Sequence, residues 1–175
     1  MTSPVPAELQ LLGLSCILVV TQIVLAAQLG NVQYGLRYAA SARDTPVEPP
    51  GVLLGLSGVL VVAQIVLYAQ LANAQYGLRW AASPRDEAPQ PPGVLLGRTR
   101  RAFANFLETY PVFVAAVLAV AAVGRLDGLT LVGAHLYLWG RLVYLVLYMT
   151  GVPLVRSLFW NVALAGILMI LWRLV

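Results

Sequence analysis

Apolar side chains run on along most of this chain, without the every-other-residue alternation of a half-buried strand. Five stretches stand out, at about Leu11–Leu29, Val52–Ala72, Ala104–Val123, Leu129–Met149 and Val152–Leu171. Each is close to the ~20 apolar residues that an α-helix needs to cross the hydrocarbon of a bilayer. Pro and Gly cluster between them, as in Pro49-Pro50-Gly51 and Pro91-Pro92-Gly93, and such clusters break helices and turn the chain. The pattern predicts an all-α, polytopic membrane protein of five spanning helices.

The pattern also repeats. Residues 11–52 and 53–94 align without gaps, and 30 of the 42 positions are identical. The match runs through the apolar helix, then Gln33–Arg37 against Gln75–Arg79, then Arg43-Asp44 against Arg85-Asp86. This is a tandem duplication of one helix and its loop. Two copies do not make a solenoid, which needs at least three units. If both copies span and a short loop joins them, they run antiparallel. The chain then divides into an added helix and loop at 1–52 and a four-helix domain at 53–175.

Composition agrees with a lipid environment: 60% of residues are hydrophobic and 10% charged, against about 25% charged in a soluble domain. The 11 basic residues are all Arg, as GC-rich coding gives, which suggests a bacterial inner membrane. They lie between apolar spans, so anionic lipid headgroups suffice as partners for the net charge of +4 and nucleic acid is not implied. The single cysteine, Cys16, excludes an intramolecular disulfide and sits in an apolar run, where it packs as a small hydrophobe. The N-terminus carries Glu8 and no basic segment, unlike a cleaved signal. With five spans, Arg79, Arg85, Arg98, Arg100, Arg101 and Arg156 fall on one side, and Arg37, Arg43, Arg125 and Arg173 on the other. The positive-inside rule then places the 73–103 loop in the cytoplasm and the C-terminus outside.

Polar residues within spans are costly and mark function. Arg98, Arg101, Asn105 and Glu108 follow at spacings of 3, 4 and 3, which puts them on one helical stripe. Pro111 follows and is expected to kink the helix. A self-neutralising Arg–Glu pair is one reading. The surplus of arginine favours the other, a pocket for an anionic ligand. Arg141, Tyr144 and Tyr148 form a second stripe, with Arg141 far from either end of its helix. It is expected to pair with Glu108 or to point into the same pocket. Arg156 opens the last helix, where the simple reading is a headgroup contact. His135 has no Cys, Asp or Glu at ligand spacing, so no metal is expected, and no nucleophile motif or phosphate loop occurs.

The stretch Arg98-Thr-Arg-Arg-Ala-Phe-Ala-Asn105-Phe-Leu-Glu108-Thr-Tyr-Pro111 resembles the signature of the MAPEG superfamily, membrane-associated proteins in eicosanoid and glutathione metabolism. The family pattern, roughly Arg-Ala-x-x-Asn-x-x-Glu-x-x-Pro, is met at Arg101, Ala102, Asn105, Glu108 and Pro111. Arg141, Tyr144 and Tyr148, then Pro153 and Arg156-Ser157, look like its second block. The resemblance covers about 53–175.

It implies a four-helix subunit, a homotrimer, and glutathione as co-substrate in a positive pocket between subunits, open to the cytoplasm. Arg101, Asn105, Glu108, Arg141, Tyr144 and Tyr148 would hold glutathione, with Arg98 on the same stripe and Arg79 matching more loosely. Arg156 would stabilise the thiolate as the catalytic residue. The implied activity is a glutathione transferase or peroxidase acting on a lipophilic small molecule. Thr109 and Phe103 depart from catalytic members, which carry an aromatic and a polar residue there. Those departures favour an alternative, a non-catalytic lipid-binding or scaffolding member. A helix duplicated by engineering is a further alternative.

Overall fold

The computed structural model describes residues 49–84 and 90–175. The expected first span at Leu11–Leu29, with Cys16, Arg37 and Arg43, lies outside the described residues, as do Arg85 and Asp86. Helix α1 runs over Pro49–Tyr76 and is followed by a short α2 at Leu78–Ala81. Then come α3 at Val94–Ala122, α4 at Gly128–Thr150 and α5 at Pro153–Leu171, closed by a 3-10 turn at Trp172–Leu174. No strand occurs among the described residues. Helices α1, α3, α4 and α5 are long and apolar enough to cross a membrane.

The span starts are as expected for α1, α4 and α5, but α3 begins ten residues before Ala104. At 1.5 Å per residue its 29 residues reach about 43 Å, the thickness of hydrocarbon plus headgroups. Hydropathy marks only the hydrocarbon part. The first turns, with Arg98, Arg100 and Arg101, extend the same helix to headgroup depth. The helix continues unbroken through Pro111.

Helices α1, α3 and α5 each bury a narrow seam and turn the rest outward, while α4 is buried over more than half of its span. In α1 the seam is Leu53, Ser57, Leu60, Gln64 and Leu67, at alternating spacings of 4 and 3. This is the coiled-coil spacing, which keeps one line of side chains facing a partner. The partners are α3 and α4. Ser57 Oγ lies 3.5 Å from Tyr110 Oη, and Leu67 packs with Ala102, Tyr144 and Leu145. Gln75 then clips the next connection: its Nε2 donates to Pro91 O at 3.0 Å and its Oε1 accepts from Gly93 N–H at 2.8 Å. That bond satisfies a free amide at the start of α3.

Helices α4 and α5 meet backbone to backbone. A Cβ on Gly133 would stand 2.6 Å from Gly166 O, and one on Gly140 would stand 3.0 Å from Ala163 N. Lipid tails are as apolar as leucine, so close backbone approach and dispersion, not water exclusion, hold such a pair together. Phe113 stacks on Tyr137 at 4.0 Å between α3 and α4. Asp127 caps α4 by accepting from Thr130 N–H at 3.1 Å. The hydrogen bond from the Thr130 backbone is the main cause that holds the Asp127 carboxyl below its usual range; the Thr130 hydroxyl and the Arg173 guanidinium add to it. Gly151 ends α4 at φ +88°, a left-handed conformation that glycine adopts without strain. Pro153 starts α5, where its missing N–H costs nothing.

Candidate functional site

The antiparallel pairing of α3 with α4 sets the two polar stripes face to face. Arg141 is 1% exposed in the middle of the bundle. Its Nη1 donates to Asn105 Oδ1 at 2.8 Å, and its Nη2 donates to Thr109 Oγ1. Asn105 Nδ2 in turn donates to Glu108 Oε2 at 3.1 Å. Thr109 Oγ1 also lies 3.4 Å from Tyr137 Oη. The rings of Tyr137 and Tyr144 flank the guanidinium at 5.7 and 5.6 Å. Among the described residues Arg141 Nε has no hydrogen-bond partner.

Of the two expected roles of Arg141, pairing with Glu108 or facing the same pocket, the first is met only at one remove. The carboxylate is exposed and reaches Arg141 only through the Asn105 amide, which accepts from one and donates to the other. Among the described residues the one ion pair is Arg173 with Asp127 at 2.7 Å, at the opposite end of the bundle. Arg141 is thus a buried cation held by neutral oxygens and aromatic faces, with no carboxylate on it among the described residues. Such a group is costly in a membrane and favours an anion nearby.

Beside it lies a cleft of about 240 Å³, lined by Asn105, Tyr144, Tyr148, Arg156, Ser157 and Trp160. Arg156 is half-buried, and its guanidinium lies over the Tyr148 ring at 4.4 Å, a cation–π contact that steadies the charge. Tyr148 meets Tyr144 edge-on at 5.5 Å. Trp160 Nε1 is buried and has no hydrogen-bond partner among the described residues.

Four of the nine expected site residues line the cleft: Asn105, Tyr144, Tyr148 and Arg156. Arg141 and Glu108 are bonded to Asn105. The other three are not among the lining residues. Arg98 Nη1 donates to Met149 O at 3.1 Å, so its charge caps the end of α4. Arg101 is exposed, with Nη1 lying back beside Gly97. Arg79 is exposed on α2. Sequence reasoning missed Thr109, Tyr137 and Trp160 as members of the site. Their signal was a spacing of four, from Asn105, Arg141 and Arg156 respectively, which puts each on a stripe already identified.

A family model described as the MAPEG family matches residues 53–175 of the chain. No curated protein and no solved structure matches it.

Proposed function

The chain belongs to the MAPEG family, and on that premise we propose that it binds glutathione in the cleft beside Arg156 and promotes its reaction with lipophilic electrophiles. The family includes glutathione transferases and related membrane proteins. The observation that carries the reading is the pair of cations at one cleft. Arg156 is presented on its wall, and Arg141 stands behind Asn105 with no carboxylate on it among the described residues.

The residues present fit a tripeptide with two carboxylates, an ammonium and a thiol. Arg156 and the unpartnered Trp160 N–H are donors for anionic oxygen or sulfur, and the exposed Glu108 is a counter-charge for the ammonium. When bound, glutathione supplies the nucleophilic thiolate. A free thiol ionises with a pKa of about 8.5, and a neighbouring guanidinium lowers it. Arg156 is the cation placed for that work, held in position by the Tyr148 ring. Arg141 keeps the Asn105 carbonyl committed, so the Asn105 amide is fixed toward Glu108. The proximity of two reactants held in one site adds to the rate. The assembly that fits is a homotrimer, in which a neighbouring subunit covers the open side of the cleft.

Purified protein in detergent is expected to bind glutathione and to conjugate a small aromatic electrophile. Arg156→Ala should lower turnover by about 10²-fold, the usual loss on removing one charge-stabilising donor, while binding weakens only a few-fold. Absence of binding at millimolar glutathione overturns the proposal and leaves a lipid-binding or scaffolding member.

A further inference from the structure

The hydroxyl of Thr109 stands where three hydrogen bonds meet. Its oxygen lies 3.3 Å from Phe106 O, 3.4 Å from Tyr137 Oη, and within bonding distance of Arg141 Nη2. A threonine hydroxyl has one proton to give and two lone pairs to offer, a carbonyl can only accept, and a guanidinium can only donate. Tyr137 is fully buried with its ring stacked on Phe113, and among the described residues Thr109 is the acceptor in reach of its hydroxyl. One arrangement satisfies all four groups. Thr109 donates to Phe106 O and accepts from both Tyr137 and Arg141.

That arrangement fixes the bonds further on. With Nε unbonded, the Arg141 guanidinium is anchored among the described residues at two points, Asn105 Oδ1 and Thr109 Oγ1. The two acceptors stand one turn apart on α3, and together they hold the planar fork in one orientation. Because Arg141 can only donate, Oδ1 is the Asn105 atom that faces it, and Nδ2 is the atom turned to the Glu108 carboxylate. Nδ2 carries two protons. One goes to Glu108 Oε2 at 3.1 Å, and the other is left for the cleft that Asn105 lines. With the amide the other way round, the cleft would meet a carbonyl oxygen, which repels an anion.

We propose that Thr109 is a positioning residue that keeps the Asn105 wall of the cleft a hydrogen-bond donor, and so sets the preference of the cleft for anionic ligands. The inference rests on the reading of the cleft as a glutathione site. Thr109 lies outside the cleft lining and acts through Arg141 and Asn105. Without its hydroxyl the guanidinium keeps one anchor in place of two and can turn about it, which frees the Asn105 amide to rotate. A ligand carboxylate then loses a hydrogen bond to Nδ2–H, whereas a neutral ester in its place loses less.

The test is the ratio of affinities for glutathione and for glutathione diethyl ester, measured on the purified chain in detergent. The parent should prefer glutathione. Thr109→Val should lower that preference about fivefold, the scale of one net hydrogen bond, and Thr109→Ser, which keeps the hydroxyl, should restore it. Loss of folded protein weakens both ligands alike and leaves the ratio unmoved, so a purely structural role of Thr109 is told apart. Tyr137→Phe keeps the ring on Phe113 and removes only one donor to Thr109. It should move the ratio the same way by about twofold, and it carries the test where Thr109→Val does not fold. An unchanged ratio in the folded variant overturns the inference, as does a loss in Thr109→Ser equal to that in Thr109→Val. A parent that binds both ligands alike overturns the inference and leaves the functional reading standing. A parent that binds no glutathione overturns both.

Discussion

Asn105 Oδ1 accepts from Arg141 Nη1 at 2.8 Å, a bond that ties the first half of α3 to the second half of α4. It places the one buried guanidinium of the described residues next to the cleft and sends the charge of Glu108 toward it through an amide. The neighbouring Thr109 completes the arrangement by accepting from Arg141 Nη2.

Thr109→Val keeps the volume and removes that acceptor. The buried guanidinium is then left with an unmade bond, which costs about 1–3 kcal/mol. Thermal unfolding in detergent should show the loss, and Thr109→Ser should restore most of it. An unchanged midpoint in Thr109→Val would mean that Asn105 alone suffices to hold Arg141.

Gly133→Ala drives a methyl to within 2.6 Å of Gly166 O, where backbone on both sides leaves nothing flexible to give way. Such overpacking costs about 1–3 kcal/mol. Gly58→Ala meets only Tyr110 Oη at 3.8 Å and should be tolerated. Unfolding midpoints of the two variants, compared in one detergent, check the contrast.

Gly151→Ala puts a Cβ 2.5 to 2.7 Å from the Arg98 guanidinium and forces alanine to φ +88°. The left-handed conformation alone costs about 1–2 kcal/mol. The collision with Arg98 adds to it, and Arg98→Ala removes only that second part. A double-mutant cycle should therefore be non-additive, with Gly151→Ala less damaging once Arg98 is gone. Simple additivity would dissociate Arg98 from the end of α4.

Asp127 gives the expected pH response. Its folded pKa lies below the unfolded value of about 3.9, so its contribution is complete above that value and is lost as pH falls through the folded pKa. As an N-cap it is worth about 1 kcal/mol at neutral pH. The ion pair with Arg173 adds little, since both side chains are over a third exposed. Asp127→Ala should be less stable than the parent at pH 7, and the difference should shrink below about pH 4. A difference that persists unchanged to pH 2 would assign the effect to packing.

Arg98, Arg100, Arg101 and Arg156 gather at the end of the bundle where α3 begins and α5 starts. The positive-inside rule predicts that this end is cytoplasmic, and with it Ser83 in the adjoining connection. Ser83→Cys, in a Cys16→Ser background, should react with a membrane-impermeant thiol reagent only after the membrane is opened. Labelling of intact cells from outside would invert the topology.

Much of this was legible in the residues, for reasons that differ by element. Helix α5 needed only its run of apolar residues and the Pro153 that starts it. The early start of α3 was not legible in hydropathy, because Arg98, Arg100 and Arg101 suit the headgroup layer while remaining in the same helix. Asn105 and Tyr148 could be picked out as polar residues on periodic stripes. Arg98 could be placed on a stripe but not in the cleft, because a long side chain reaches several partners and only the end of α4 shows that a carbonyl takes it.

The sequence by itself determined that the protein spans a bilayer, where the spans of the described residues lie, that residues 53–94 repeat the sequence of 11–52, and which few polar residues a membrane must accommodate. Those follow from local chemistry, since an apolar run of spanning length has one low-energy solution in lipid. The tertiary structure decided which polar groups meet. It gave Arg141 to Asn105 and Thr109, held Glu108 one bond away, and opened a cleft at Arg156. Those outcomes depend on how closely α3, α4 and α5 approach and in what register, with Phe113 stacked on Tyr137 between α3 and α4 and with Gly133, Gly140 and Gly166 allowing backbone contact between α4 and α5.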